Sequence, residues 1–285
     1  MSLVQGKMKE GLGEADHAHI RELLRVCHQF DGLEFPLSLE GMLYAPNNVL
    51  LCYQHETLLG MVYVMSEGDV ELLGLVHPEY RRQGVGRSLL EAAKTFCRRK
   101  QVSHLSLVCF EAMPAGEAFC RAVGGQYEKS EFHMVLDMQV LRPLEPLDVA
   151  LSLRQADAAD ARTLAHFLAQ EFEEAEEEMY SWIEADLKKP GRRAFLVVLG
   201  EEPIGTLRMF EDDSSVEITA FGILPPYRRH GYGRRILLQA VHMLLTEGWQ
   251  HIALDVETEN RKALALYLSC GFRQTREDRF YRLDL

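Results

Sequence analysis

Two stretches of this chain share one design. Residues 70–88 read Val-Glu-Leu-Leu-Gly-Leu-Val-His-Pro-Glu-Tyr-Arg-Arg-Gln-Gly-Val-Gly-Arg-Ser. Residues 216–235 read Val-Glu-Ile-Thr-Ala-Phe-Gly-Ile-Leu-Pro-Pro-Tyr-Arg-Arg-His-Gly-Tyr-Gly-Arg-Arg. Each runs an apolar strand through proline and tyrosine into paired arginines, Gly-x-Gly and an amphipathic helix. Gly84 and Gly231 stand 147 residues apart in a chain of 285. Such a step predicts an internal duplication into two domain-sized units. Val70 and Val216 are 146 apart, so the second copy carries one extra residue between strand and loop, the signature of a β-bulge.

The seam falls in Leu-Arg-Pro-Leu-Glu-Pro-Leu-Asp at 141–148, where two prolines oppose regular structure. The expected domains are therefore 1–143 and 148–285. The second reads as a strand at 150–154, a helix capped by Asp157 and reaching about 170, and an acidic helix over 173–188. A hairpin follows, with strands at 194–199 and 204–210 around Gly-Glu-Glu-Pro. Then come the strand from Val216, a helix over 231–245, a strand over 251–256, a helix over 260–269 and a final pair of strands around 272–285. The first half repeats this order over 16–140, without a recognisable opening strand.

Composition excludes several classes. Hydrophobic residues make up 47% and charged residues 26% of the chain, enough for two ordinary cores. No apolar run approaches the roughly 20 residues a membrane span needs. The sequence Met-Ser-Leu-Val-Gln-Gly-Lys-Met at the start lacks a signal-peptide core, so a cytoplasmic location is expected. Six cysteines without a Cys-x-x-Cys pair predict reduced thiols and no metal framework. A net charge of −12 argues against nucleic acid as a partner. His17 and His19 near the chain start have no companion ligands and read as incidental.

A glycine turn opening a helix presents backbone N–H groups to an anion, and flanking arginines add charge. A dinucleotide fold competes for the motif, with Asp255 at the distance of a ribose contact. However, the third glycine of that fingerprint is replaced by Leu89 and Ile236. A second stretch follows at 260–272, Asn-Arg-Lys-Ala-Leu-Ala-Leu-Tyr-Leu-Ser-Cys-Gly-Phe.

Together, Arg-Arg-His-Gly-Tyr-Gly at 228–233 and this Asn…Tyr…Gly-Phe helix resemble the GNAT superfamily of acyl-CoA N-acetyltransferases, in its tandem two-domain form. The resemblance covers nearly all of the second half and, more weakly, the first. It implies an α/β fold of two tandem GNAT-like domains, each a mostly antiparallel twisted sheet flanked by helices. It also implies acetyl-CoA as cosubstrate, direct attack by a small-molecule or peptide amine, and a monomer or homodimer. The pyrophosphate would meet the amides of Gly231, Tyr232, Gly233 and Arg234, with Arg228, Arg229 and His230 around them. Glycine at 231 and 233 keeps Cβ atoms out of that seat. The pantetheine arm would pair with the strand edge at Ile223 and Leu224, and Asn260 would bond the same arm. Glu217 is then the general base and Tyr267 the acid that protonates the thiolate. The bland alternatives are a solvent-facing strand carboxylate and a core tyrosine.

The first half departs from this pattern. At the same offset Tyr267 falls on Cys120, Asn260 on Met113 and Phe272 on Gly125. Arg81, Gln83, Gly84, Gly86 and Arg87 still form a phosphate loop, so a degenerate, noncatalytic domain is expected there. The acidic run at 171–178 reads as a solvated helix face or a lure for a cationic amine. A noncatalytic acyl-CoA sensor is the alternative to an enzyme.

Overall fold

A computed structural model describes residues 6–32, 42–43, 45–65, 70–141, 150–172, 175–212 and 214–285. The expected seam, with both boundaries at 143 and 148, lies outside the described residues. So do the first five residues and part of the acidic run. The chain forms two compact units, Met1–Ser130 with Glu277–Leu285, and Glu131–Arg276.

Unit 1 holds β1 (Lys7–Glu10), α1 (His17–Asp31), β2 (Val49–Gln54), β3 (Thr57–Met65), β4 (Glu71–Val76), α2 (Val85–Arg99), β5 (His104–Phe110) and α3 (Pro114–Ala122). It also holds the start of β6 (Gln126–Leu136) and the end of β12 (Phe272–Asp284). Its sheet runs β1-β2-β3-β4-β5-β12, with β4 and β5 parallel and every other pair antiparallel. Unit 2 holds the rest of β6, β7 (Leu151–Gln155), α4 (Ala161–Phe172), α5 (Glu176–Asp186), β8 (Arg192–Leu199) and β9 (Glu202–Glu211). It continues with β10 (Val216–Ile223), α6 (Tyr232–Thr246), β11 (Ile252–Glu257), α7 (Arg261–Ser269) and the start of β12. Its sheet runs β6-β11-β10-β9-β8-β7, parallel only between β10 and β11. The mixed α/β class agrees with expectation, and β1 supplies the opening strand of the first half.

Two features depart from the sequence reading. The expected final pair of strands is one continuous strand, β12, because no turn interrupts 272–284. The compact units also do not follow the repeat. They follow strand pairing, since residues 131–135 of β6 pair with β11, and residues 278–284 of β12 pair with β5. Each sheet is thus completed by a strand from the other repeat.

Each sheet is covered on both faces. In unit 2, Ile236, Leu237, Ala240, Val241 and Leu244 of α6 recur at helical spacing and pack on Val216, Ile218 and Leu254. The opposite face is covered by Ala161, Leu164 and Leu168 of α4 with Ile183 of α5, over Ala194 and Leu196 of β8.

The extra residue expected from the one-residue change in offset is present. Between Thr219 and Gly222 the register of β10 advances by three while β9 advances from Arg208 to Thr206. Ala220 sits at the bulge with a positive φ of 43°. Its effect is a change of face. Val216 and Ile218 point to the α6 side before the bulge, and Phe221 and Ile223 do so after it, while Ala220 and Leu224 turn to the α4 side. In β4 the pairing to β3 is unbroken, so Val70, Leu72 and Val76 keep one face throughout.

Candidate active site

Beyond the bulge, β10 leaves β11. The two pair only from Val216 with Ile252 to Ile218 with Leu254, whereas β10 stays with β9 to the end. Leu224 N–H donates to Ile204 O on the β9 side at 2.8 Å. Residues alternate sides along a strand, so the peptide groups of Ile223 point into the gap that β11 vacates. The Ile223 carbonyl there accepts from Arg228 Nε at 2.5 Å. This bond and its counterpart, Arg81 Nε to Val76 O at 3.0 Å, tie each loop to the strand before it.

The loop then turns through Arg229, at φ 69°, and Gly231, at φ 82°, into α6. Arg82 and Gly84 repeat this geometry at 62° and 92°. The first intrahelical bond of α6 is Arg235 N to Gly231 O. The amides of Tyr232, Gly233 and Arg234 precede it and need another partner. A Cβ built on Gly231 meets nothing within 4 Å, and one on Gly233 meets only ordinary contacts from 3.6 Å. A diphosphate fits this open, glycine-lined helix start. His230 is exposed and stacks on Tyr232, with ring centroids 5.4 Å apart.

Not every expected donor points there. Arg234 Nη2 caps α7 through Ser269 O at 3.1 Å. Arg81 binds Asp31 with both terminal nitrogens at 2.7 and 2.6 Å, and Gln83 bonds Glu79 O at 2.6 Å. Gly86 is crowded by Phe119, whose Cε2 would lie 3.2 Å from a Cβ there, where the second loop has Leu266. Asn260 caps α7, accepting from Ala263 N at 3.1 Å. Tyr267 is 8% exposed, packed edge-on against Phe272 in the α6 core.

Glu217 lies on the other face, half-buried, between core residues Val216 and Ile218. Its strand neighbours are Phe210 on β9 and Ala253 on β11. Two residues along β11, on the same face, is Asp255. In register with Asp255 stands His133 of β6, whose Nδ1 lies 2.7 Å from Asp255 Oδ1. Arg192 of β8 lies over the Phe210 ring at 3.9 Å. Burial, then the charge and hydrogen bond of Asp255, push the Glu217 carboxyl up to about 8, with Glu131 adding to the rise and Arg192 opposing it. A half-buried carboxyl poised near neutrality is suited to take a proton from an amine. The sequence pointed to Glu217 but not to Asp255, His133, Glu131 or Arg192 as its neighbours. Only strand register brings them together.

Among the described residues no group of three or more His, Cys, Asp or Glu side chains is placed to hold a metal ion. Among the same residues no helix is long and apolar enough to cross a membrane.

The Acetyltransferase (GNAT) family model matches residues 18–124 and again 158–272. Mycothiol acetyltransferase from Clavibacter sepedonicus is 28% identical over 234 residues, covering 77% of this chain and 75% of that protein. The enzyme of the same name from Amycolatopsis mediterranei is 24% identical over 96% of this chain and 97% of its own. Among solved structures, a GCN5-related N-acetyltransferase from Sphaerobacter thermophilus aligns with a TM-score of 0.81 at 18% identity, covering 99% and 97% of the two chains. A tandem GNAT protein from the clavulanic acid biosynthesis pathway aligns at 0.72 and 16%, covering 98% of each.

Proposed function

The chain belongs to the GNAT family of acetyltransferases, whose acyl donor is acetyl-CoA, and we propose that its second repeat carries the working site, acetylating a primary amine. The bulged, splayed β10 carries this reading. It aims the Ile223 peptide into the gap beside the unpaired amides of α6, and it sets Glu217 on the opposite face, six residues earlier. The first repeat has no bulge in β4, a cysteine in place of Tyr267, and a loop arginine already neutralised by Asp31.

The residues divide the work as follows. The α6 amides of Tyr232, Gly233 and Arg234 hold the diphosphate, with Arg229 beside them. Ile223 N–H orients the pantetheine arm and polarises the thioester carbonyl. Glu217, directly or through water, takes the proton that the acceptor nitrogen must lose. Tyr267 delivers a proton to the departing thiolate. Attack is direct, without an acyl-enzyme. A thiol-release assay with acetyl-CoA across a panel of primary amines tests the proposal. Amine-dependent release is expected, and its absence with every amine offered, from folded protein, would refute it.

Two variants separate binding from chemistry. Gly231→Trp places a side chain in open space above the amides. It should weaken acetyl-CoA binding by tenfold or more in titration calorimetry, the loss of about one charge-assisted hydrogen bond at roughly 1.5–3 kcal/mol. Unchanged affinity would exclude this seat. Tyr267→Phe should keep that affinity and lower kcat by about 10-fold to 10²-fold, since water can partly replace a phenol as acid. Full turnover in this variant would return Tyr267 to a packing role.

A further inference from the structure

We propose that His133, a residue of the first repeat, is a positioning residue for acetyl transfer in the second. Through its contact with Asp255 it orients that carboxyl beside Glu217, and so sets how readily Glu217 takes the proton that leaves the amine. The inference rests on Glu217 being the base. Its physical ground is the carboxyl pair. Two carboxyls in hydrogen-bond contact share one proton near neutrality, because both cannot ionise cheaply side by side. The partner that receives an N–H donor keeps its charge. His133 Nδ1 lies 2.7 Å from Asp255 Oδ1, with the imidazole 23% exposed, and in the tautomer with hydrogen on Nδ1 the histidine is the donor. Glu217 is then the member of the pair that gains and loses the proton.

The contact depends on strand pairing. His133 stands in register with Asp255, one step from the Phe132–Val256 pair and two from the Glu131–Glu257 pair. The charged groups facing Glu217 are Asp255 from β11, Glu131 from β6 and Arg192 from β8. On the same face, Arg208 of β9 is closed by Asp186 of α5. Among these, His133 touches Asp255 and so acts on Glu217 through it.

The test is the pH profile of kcat/KM for one amine in wild type, His133→Ala, His133→Asn and Asp255→Asn. Removing the donor destabilises the doubly ionised pair, so His133→Ala should move the Glu217 limb upward by about half to one pH unit. His133→Asn keeps an N–H near the same place and should restore much of the shift. Asp255→Asn removes the neighbouring charge and should move the limb downward. In the His133→Ala/Asp255→Asn double variant, the histidine change should add nothing. KM for acetyl-CoA should stay constant throughout. A uniform fall in rate with an unmoved limb, or a limb in the double variant that still responds to His133, would overturn the inference. Should His133→Ala fail to fold, Asp255→Asn alone still decides, because an unmoved or raised limb refutes the pair. A Glu217→Gln variant that keeps the wild-type limb sinks the base itself. One that loses the limb while His133→Ala leaves it in place sinks only the role of His133.

Discussion

Glu217→Gln is expected to lower kcat by about 10²–10⁴, the usual contribution of a positioned base, while acetyl-CoA affinity stays within about twofold. Glutamine matches glutamate in shape, so the half-buried site on β10 keeps its packing between Val216 and Ile218. What it loses is proton affinity. In wild type the carboxyl is raised to about 8 by burial and by Asp255. The rate should therefore climb with pH through the neutral range as the ionised form fills, and this limb should vanish in the variant. The stability prediction has the opposite sense. A carboxyl with a raised folded-state pKa stabilises the fold at acid pH, and that contribution is lost as pH rises through its folded value. The neutral amide removes that loss, so at pH 9 the variant should melt no lower than wild type. A slow enzyme that also melts early would point to misfolding and not to a missing base.

Removing residues 277–285 is expected to unfold unit 1. Seven residues of β12, from Asp278 to Asp284, pair with β5. They place Phe280, Tyr281 and Leu283 at 5%, 0% and 8% exposure. Tyr281 meets Tyr127 edge-on at 5.8 Å and carries Arg121 over its ring. Burial of three such side chains is worth roughly 1.5–3 kcal/mol each, a sum comparable to the whole 5–15 kcal/mol by which a domain is stable. Deletion also bares the edge of β5, an invitation to aggregate. The milder Tyr281→Ala should cost about 3–5 kcal/mol. Circular dichroism and thermal melting check both. A truncated chain with the wild-type melting curve would show that β12 contributes little to that core.

Much of the fold was legible because its signals are local. The glycine loop, the paired arginines and the helical spacing of Leu89, Leu90, Ala93, Phe96 and Cys97 lie within a few turns of one another. The bulge was legible too, since one inserted residue changes the offset between repeats by one. The single strand at 272–284 was misread as a pair. Nothing in its composition says whether an alternating segment turns back on itself or finds partners far away in sequence. The partners of the loop arginines were hidden for a related reason. Arg234 and Arg81 look like phosphate ligands by position, yet they bond Ser269 O and Asp31, groups 35 and 50 residues away.

By itself, the sequence determined a duplicated α/β chain of the acetyltransferase family with a bulged strand and a glycine-opened helix in its second copy. Backbone conformation and side-chain period act over a few residues, and those residues carry the information. Only the tertiary structure decided that β6 and β12 complete sheets begun by the other repeat, and that strand register brings Asp255 and His133 to the face that carries Glu217. The pairings of β6 with β11 and of β12 with β5 join residues 118 or more apart in sequence. Such register is set by which faces can be buried together once the whole chain has folded, and no local pattern contains that choice.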